Sequence, residues 1–266
     1  MDVRRATLAG RYYPGEPASL KKHLADFFSH VALPHPVDAC GIVSPHAGTV
    51  YSGQVAAYSY SAVPEDFEGT FVVIAPSHSG YPDCTAGLAW ETPLGIIECD
   101  EGLLSVIDIR RDDFAMSQSE NSLEVQMPFI KYRFPRAKVV TVLMGRQTLS
   151  GAKEMADVIV HAVGETSSDV RIVASSDFSH YIPDAEARKI DGFAIEALSK
   201  LDSEEFFRRI REEGVSACGY GPVTVMVEAC RALFGAKRGE LLKYMTSGDI
   251  SGDFDQVVGY AAVAVF

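Results

Sequence analysis

Two short runs, Phe-Val-Val-Ile-Ala at 71–75 and Val-Val-Thr-Val-Leu-Met at 139–144, are almost continuously apolar. A strand with one wet face alternates apolar and polar residues. An unbroken run therefore reads as a strand buried on both faces, inside a sheet covered from both sides. Further strand-like runs occupy 40–44, 171–175, 241–246 and 257–266. Between them lie segments of helical period at 17–30, 53–61, 101–110, 123–132, 151–163, 185–201, 203–213 and 222–234. In the first, Leu20, Leu24, Phe27 and Phe28 share one face and Pro17 suits an opening turn. Such alternation predicts an α/β fold: a single three-layer α/β/α domain spanning 1–266, with a central mixed, mostly parallel sheet. The long final run, VVGYAAVAVF, reads as an antiparallel member. No repeat, low-complexity tract or linker divides the chain.

Composition narrows the function classes. Apolar residues make up 47% of the 266, ordinary for a protein with a sizeable core. The net charge of -12 repels phosphate backbones and anionic headgroups, so neither nucleic acid nor membrane is an expected partner. No apolar run approaches the ~18 residues of a membrane span. The N-terminal arginines are not followed by the apolar stretch of a signal peptide. Five cysteines, at 40, 84, 99, 218 and 230, include no CxxC pair. That fits neither a disulfide framework nor a zinc ribbon and predicts a reducing, cytoplasmic setting.

Three strand candidates end alike. GIVSP runs into His46, FVVIAPS into His78, and RIVASSDFS into His180, with Asp177 three residues before it. Ligands of open α/β sheets gather at the carboxyl ends of strands. Converging neutral imidazoles bind metals or move protons. The other four histidines, His23, His30, His35 and His161, fall on helices or in a proline-flanked loop and read as surface or structural. Cys218 lies in Ala-Cys-Gly-Tyr-Gly-Pro, just before a helix start, where a thiol has a lowered pKa. The segment 44–53 is a glycine-bearing loop whose amides are candidates to hold an anion. Glu120 and Glu124 stand four apart, on one face if that segment is helical; helix capping is the other reading. Ser44, Ser77 and Ser175 lie beside the histidines, but no nucleophile elbow surrounds them.

At these residues the sequence resembles the Memo family, also called AmmeMemoRadiSam system protein B. AGRYYP (9–14), SPHAGTVYSG (44–53), APSHSGY (75–81), TPLG (92–95), ENSLEVQMPF (120–129), SSDFSHY (175–181), CGYGP (218–222) and VVGYAA (257–262) follow in family order. Two positions depart from the usual pattern. Thr49 stands where the family has Tyr, and Asn121 where it has His, so this chain lacks one proton carrier.

The family is similar in fold to the class III extradiol dioxygenases (LigB-like), non-haem iron enzymes that cleave catechol rings. The resemblance implies a metal site at His46, His78 and Cys218, with Asp177 and His180 in the same cavity. It also implies a pocket wall from Tyr12 and Tyr51, at positions associated with peptide binding. Ser77, Glu120 and Glu124 complete the candidate pocket residues. The expected function is a mononuclear metal-dependent redox protein holding one iron or copper ion, with zinc as the further option. His180 would act as acid or base, and Asp177 would orient it or stabilise its charged form. A thiolate in place of the usual carboxylate argues against assuming ring cleavage. Hydrolytic zinc chemistry is a lesser reading, since His, His and Cys plus water is a catalytic zinc pattern. Two alternatives stand beside the redox reading. One is a binding module that takes a small molecule or peptide in the same pocket. The other is a partner of radical-SAM and AMMECR-type proteins in a modification system. The chain has no radical-SAM cysteine triplet of its own.

Overall fold

A computed structural model describes residues 2–35 and 37–266. The strands are β1 (Val3–Arg4), β2 (Gly41–Ser44), β3 (Thr70–Pro76), β4 (Cys84–Thr85), β5 (Ala89–Thr92), β6 (Gly95–Ile97), β7 (Lys138–Met144), β8 (Val170–Ser175), β9 (His180–Ile182), β10 (Gly239–Thr246) and β11 (Val257–Val265). The helices are α1 (Pro17–Ser29), α2 (Thr49–Ser61), α3 (Glu101–Val106), α4 (Asp113–Ser117), α5 (Asn121–Glu124), α6 (Gln126–Arg133), α7 (Leu149–Thr166), α8 (Asp184–Leu198), α9 (Ser203–Glu212), α10 (Tyr220–Phe234) and α11 (Gly248–Ser251).

The main sheet has the order β10-β11-β2-β8-β3-β7-β4, with β9 paired to β11 off this path. Its centre, β2-β8-β3-β7, is parallel, and the pairs at both flanks are antiparallel. As expected, the apolar strands are buried on both faces. Val72 and Ile74 of β3 pack with α7 and α10, whereas Phe71, Val73 and Ala75 pack with α1, α2 and α6. Helices on each side of a mixed sheet make three layers. A second sheet, β1-β5-β6, has no counterpart in the sequence reading. Its strands are two to four residues long, too short for periodicity to register.

Two helices differ from expectation for physical reasons. The segment expected as one helix over 123–132 divides at Val125 into α5 and α6. Pro128 has no N–H to give the Glu124 carbonyl, which breaks the ladder there. The helix expected over 101–110 stops at Val106. The residues beyond it pair with the sheet edge instead: Thr85 N donates to Arg110 O, and Asp112 N to Thr85 O.

The strand order positions the site. β8 lies between β2 and β3, so the loop after β8 rises between those carrying His46 and His78. Neighbouring strands sit about 4.8 Å apart, which leaves the two histidine loops about 10 Å apart at the backbone. Imidazoles of that reach meet across the gap.

Candidate metal centre

The rings of His46 and His78 stand edge to face with centroids 5.2 Å apart. Cys218 Sγ lies 3.1 Å from His46 Nε2. One donor atom from each of His46, His78 and Cys218 falls within 4.8 Å of the others. Residues 46, 78 and 218 thus come together from three distant parts of the chain.

Each imidazole is held through Nδ1. His46 Nδ1 meets Ser175 Oγ at 2.9 Å, and His78 Nδ1 meets Glu120 Oε1 at 2.8 Å. The remaining ring nitrogen of each is left for the shared centre. Partners on the far side of the ring are how metal-ligating histidines are oriented. His78 N also donates to Glu120 Oε2 at 2.9 Å, so this carboxylate grips both backbone and ring. Burial opposes the Glu120 charge, yet the hydrogen bond from His78 and that ring's charge draw its pKa below the usual range. The same bond raises His78. His46 is fully enclosed, and burial pushes it down to about 4. It is therefore neutral near pH 7, as a ligand must be.

Cys218 contradicts the expected lowered pKa. Burial pushes its thiol well up, and the Asp177 carboxylate adds to the effect. Desolvation outweighs the helix N-terminus beginning at Tyr220. Without a cation this thiol is a poor nucleophile. A bound cation reverses the balance, because a coordinating thiol gives up its proton. Two imidazoles and a thiolate suit iron, copper or zinc.

The Cys218 loop is braced on both sides. Gln147 Nε2 donates to Cys218 O and Gly221 N donates to Gln147 Oε1, each at 2.8 Å. Gly219 lies so close to β8 that a Cβ there would meet Ser175 O at 2.2 Å. Only glycine fits.

Asp177 is 4% exposed and accepts from His46 N at 2.8 Å. It does not orient His180 by a hydrogen bond, as had been expected. His180 is held by Ser216 instead, with Nδ1 on Ser216 O at 2.9 Å and its own N–H on Ser216 Oγ at 2.7 Å. Asp177 and His180 nonetheless line one cavity of about 390 Å³ with His46, His78, Tyr12 and Tyr51. Arg11, Asn121 and Tyr181 share that wall. Asn121 Nδ2 donates to His46 O, and Thr49 Oγ1 donates to Tyr12 O. Both departures from the family pattern thus fall at or behind this cavity. A wider cleft of about 690 Å³, between α7 and α9, contains none of the histidines.

Three expectations need correction. Glu124 is not a pocket residue: it is buried beneath the N-terminal arm, where it pairs with Arg4 at 2.5 Å. Glu120 caps α5, in line with the capping reading, and turns to His78, so only the shared-face reading of the two carboxylates fails. Several of the loop amides at 44–53 expected to be open to an anion are already taken within the protein. His46 N goes to Asp177, Thr49 N to Tyr12 O, and Tyr51 N and Ser52 N to Gly48 O. Ser77 lies between β3 and His78, and its hydroxyl is buried without a partner among the described residues. Sequence reasoning also passed over Arg11, Gln126 and Gln147. Their only signal was membership of, or nearness to, the matched motifs.

Comparison with known proteins identifies the family. The family model described as "Memo-like protein" matches residues 4–264. A MEMO1 family protein of Methanosarcina barkeri is 40% identical over 271 residues, covering 99% of this chain and 100% of that protein. One from Archaeoglobus fulgidus is 39% identical, covering 98% of each chain. Among solved structures, an uncharacterised protein of Escherichia coli K12 covers 84% of this chain and 98% of its own, at 11% identity and a TM-score of 0.48. With the family model matched nearly end to end and relatives aligned over their full length, this chain belongs to the Memo family.

Proposed function

We propose that this protein is a mononuclear metal-dependent redox protein acting on a small molecule or peptide bound over the metal. The reading is carried by one observation: two imidazoles, each tied down through Nδ1, and a cysteine sulfur present donor atoms within 4.8 Å of one another. His46, His78 and Cys218 would hold the ion. Iron or copper there would supply electron transfer and Lewis acidity. The cavity above is within the usual size range of small-ligand sites. His180, with Nδ1 occupied by the Ser216 carbonyl, keeps Nε2 to take or give a proton inside the cavity. Tyr12 and Tyr51 offer ring faces to a ligand, and Arg11 offers a positive charge.

The test is elemental analysis of protein purified without oxygen after iron or copper supplementation. Wild type should carry close to one ion per chain, and Cys218→Ala and His46→Ala should lose it. A wild-type chain that stays metal-poor under both supplements overturns the reading.

A binding module is the second reading, favoured by the exposed rings of Tyr51 and Tyr181 at the cavity mouth. Peptide affinity that survives metal removal and His180→Ala in calorimetry would favour it.

A further inference from the structure

We propose that Ser175, held in place by Gln126 and Tyr60, fixes His46 in the tautomer that carries its proton on Nδ1, and is the positioning residue that makes His46 Nε2 a ligand. Neither Ser175 nor Gln126 lines the cavity. Both are fully buried.

Counting hydrogens carries the argument. Ser175 Oγ has three neighbours: Ser122 O at 2.6 Å, Gln126 Nε2 at 2.8 Å and His46 Nδ1 at 2.9 Å. A hydroxyl has one proton and two lone pairs. The Ser122 carbonyl can only accept, so it takes the proton. Gln126 Nε2 can only donate, so it fills one lone pair. The other lone pair faces the ring, and Nδ1 must donate to it.

The orientation of the Gln126 carboxamide is fixed as well. Its nitrogen also reaches Pro45 O at 2.9 Å, and its oxygen accepts from Tyr60 OH at 2.9 Å. Turned over, the oxygen would face the Pro45 carbonyl with no proton between them. The chain Tyr60–Gln126–Ser175–His46 therefore has a single consistent direction. With the ring neutral, Nε2 is bare. It faces Cys218 Sγ at 3.1 Å, where it accepts from the thiol or binds a cation. The opposite tautomer would aim an N–H at the shared centre and bar a metal. Burial is what makes this arrangement rigid, because a polar group left unpaired there has no water to replace the lost partner.

The inference deepens the metal reading, and rests on it only for its effect on affinity. Long-range proton–nitrogen NMR of the metal-free protein reads the tautomer directly. Wild-type His46 should show a protonated Nδ1 and a bare Nε2. Ser175→Ala and the volume-conserving Gln126→Glu should mix the tautomers and leave the His78 signals in place. Both should weaken iron or copper binding about 10–100-fold. A wild-type ring protonated on Nε2, or an unchanged Nδ1–H ring in both variants, overturns the inference. A wild type with Nδ1–H that binds neither metal supports the inference and refutes the metal reading instead.

Discussion

Removing the carboxylate of Glu124 tests how the N-terminal arm is held over the cavity. Glu124 accepts from Arg4 Nη1 at 2.5 Å, Thr7 Oγ1 at 2.8 Å, Leu8 N at 2.7 Å and Tyr13 OH at 2.7 Å. Its side chain is 0% exposed and that of Arg4 is 1% exposed. In Glu124→Ala the guanidinium keeps the carbonyls of Met116, Gln118 and Arg5 and lies 4.3 Å from the centre of the Trp90 ring. Breaking a buried pair costs about 3–5 kcal/mol. The surviving carbonyls point to the low end, and the orphaned Leu8 amide adds about 1 kcal/mol. The expected loss is about 4 kcal/mol, or about 8–16 °C in Tm at about 2–4 °C per kcal/mol for a chain of this size. Urea unfolding followed by circular dichroism measures it. Replacing both charges, Arg4→Met with Glu124→Leu, removes the uncompensated guanidinium but leaves the Leu8 amide and the Met116 and Gln118 carbonyls without partners, so it should recover only part of the loss. A loss below about 1 kcal/mol, the value of an exposed pair, would refute the reasoning.

The same logic extends to two other sites. Gln147→Ala releases the carbonyl of Cys218 and the amide of Gly221, so Cys218 should react several-fold faster with a thiol reagent, while the other four cysteines stay buried and silent; an unchanged rate would show that the loop is braced elsewhere. Asp191 is buried among Ser179 N, Ser179 Oγ and Tyr244 OH, and desolvation raises its pKa. The folded chain therefore holds this proton more tightly than the unfolded one. Its contribution is greatest below the unfolded value of about 3.9 and declines as pH rises through the folded value. Across that window wild type should lose stability with rising pH more steeply than Asp191→Asn; parallel curves from urea titrations would contradict this.

Much of the site was legible because strand ends are legible. An apolar run that stops at Ser-Pro-His or Pro-Ser-His places an imidazole at the carboxyl edge of a sheet, and His46, His78 and Cys218 do meet there. What local sequence could not supply was the direction of long-range pairing. Glu120 and Glu124 look like one helical pair, but they serve different ends of the molecule, one gripping His78 and the other Arg4. Asp177 stands three residues from His180 and yet bonds the His46 backbone. The Cys218 thiol shows the same limit: a nearby helix end is a local signal, while the burial that overrides it is set by segments far away in sequence. The small sheet of β1, β5 and β6 was missed for a related reason, since strands of two to four residues are made by their partners and not by their own composition.

β11 lies between β10 and β2, and it also receives the loop that leads to His180, through Phe178 N on Gly259 O and Gly259 N on Ser179 O. A nascent chain has therefore exposed His46 and His78 long before residues 257–265 leave the ribosome to close the sheet beside them. Until then two imidazoles and several apolar edges stand open to stray ions and to neighbouring chains. Under the proposed metal reading, ion capture by the finished centre would be a late event in biosynthesis, and a polypeptide arrested before residue 257 should emerge as a client for chaperones and metal-free.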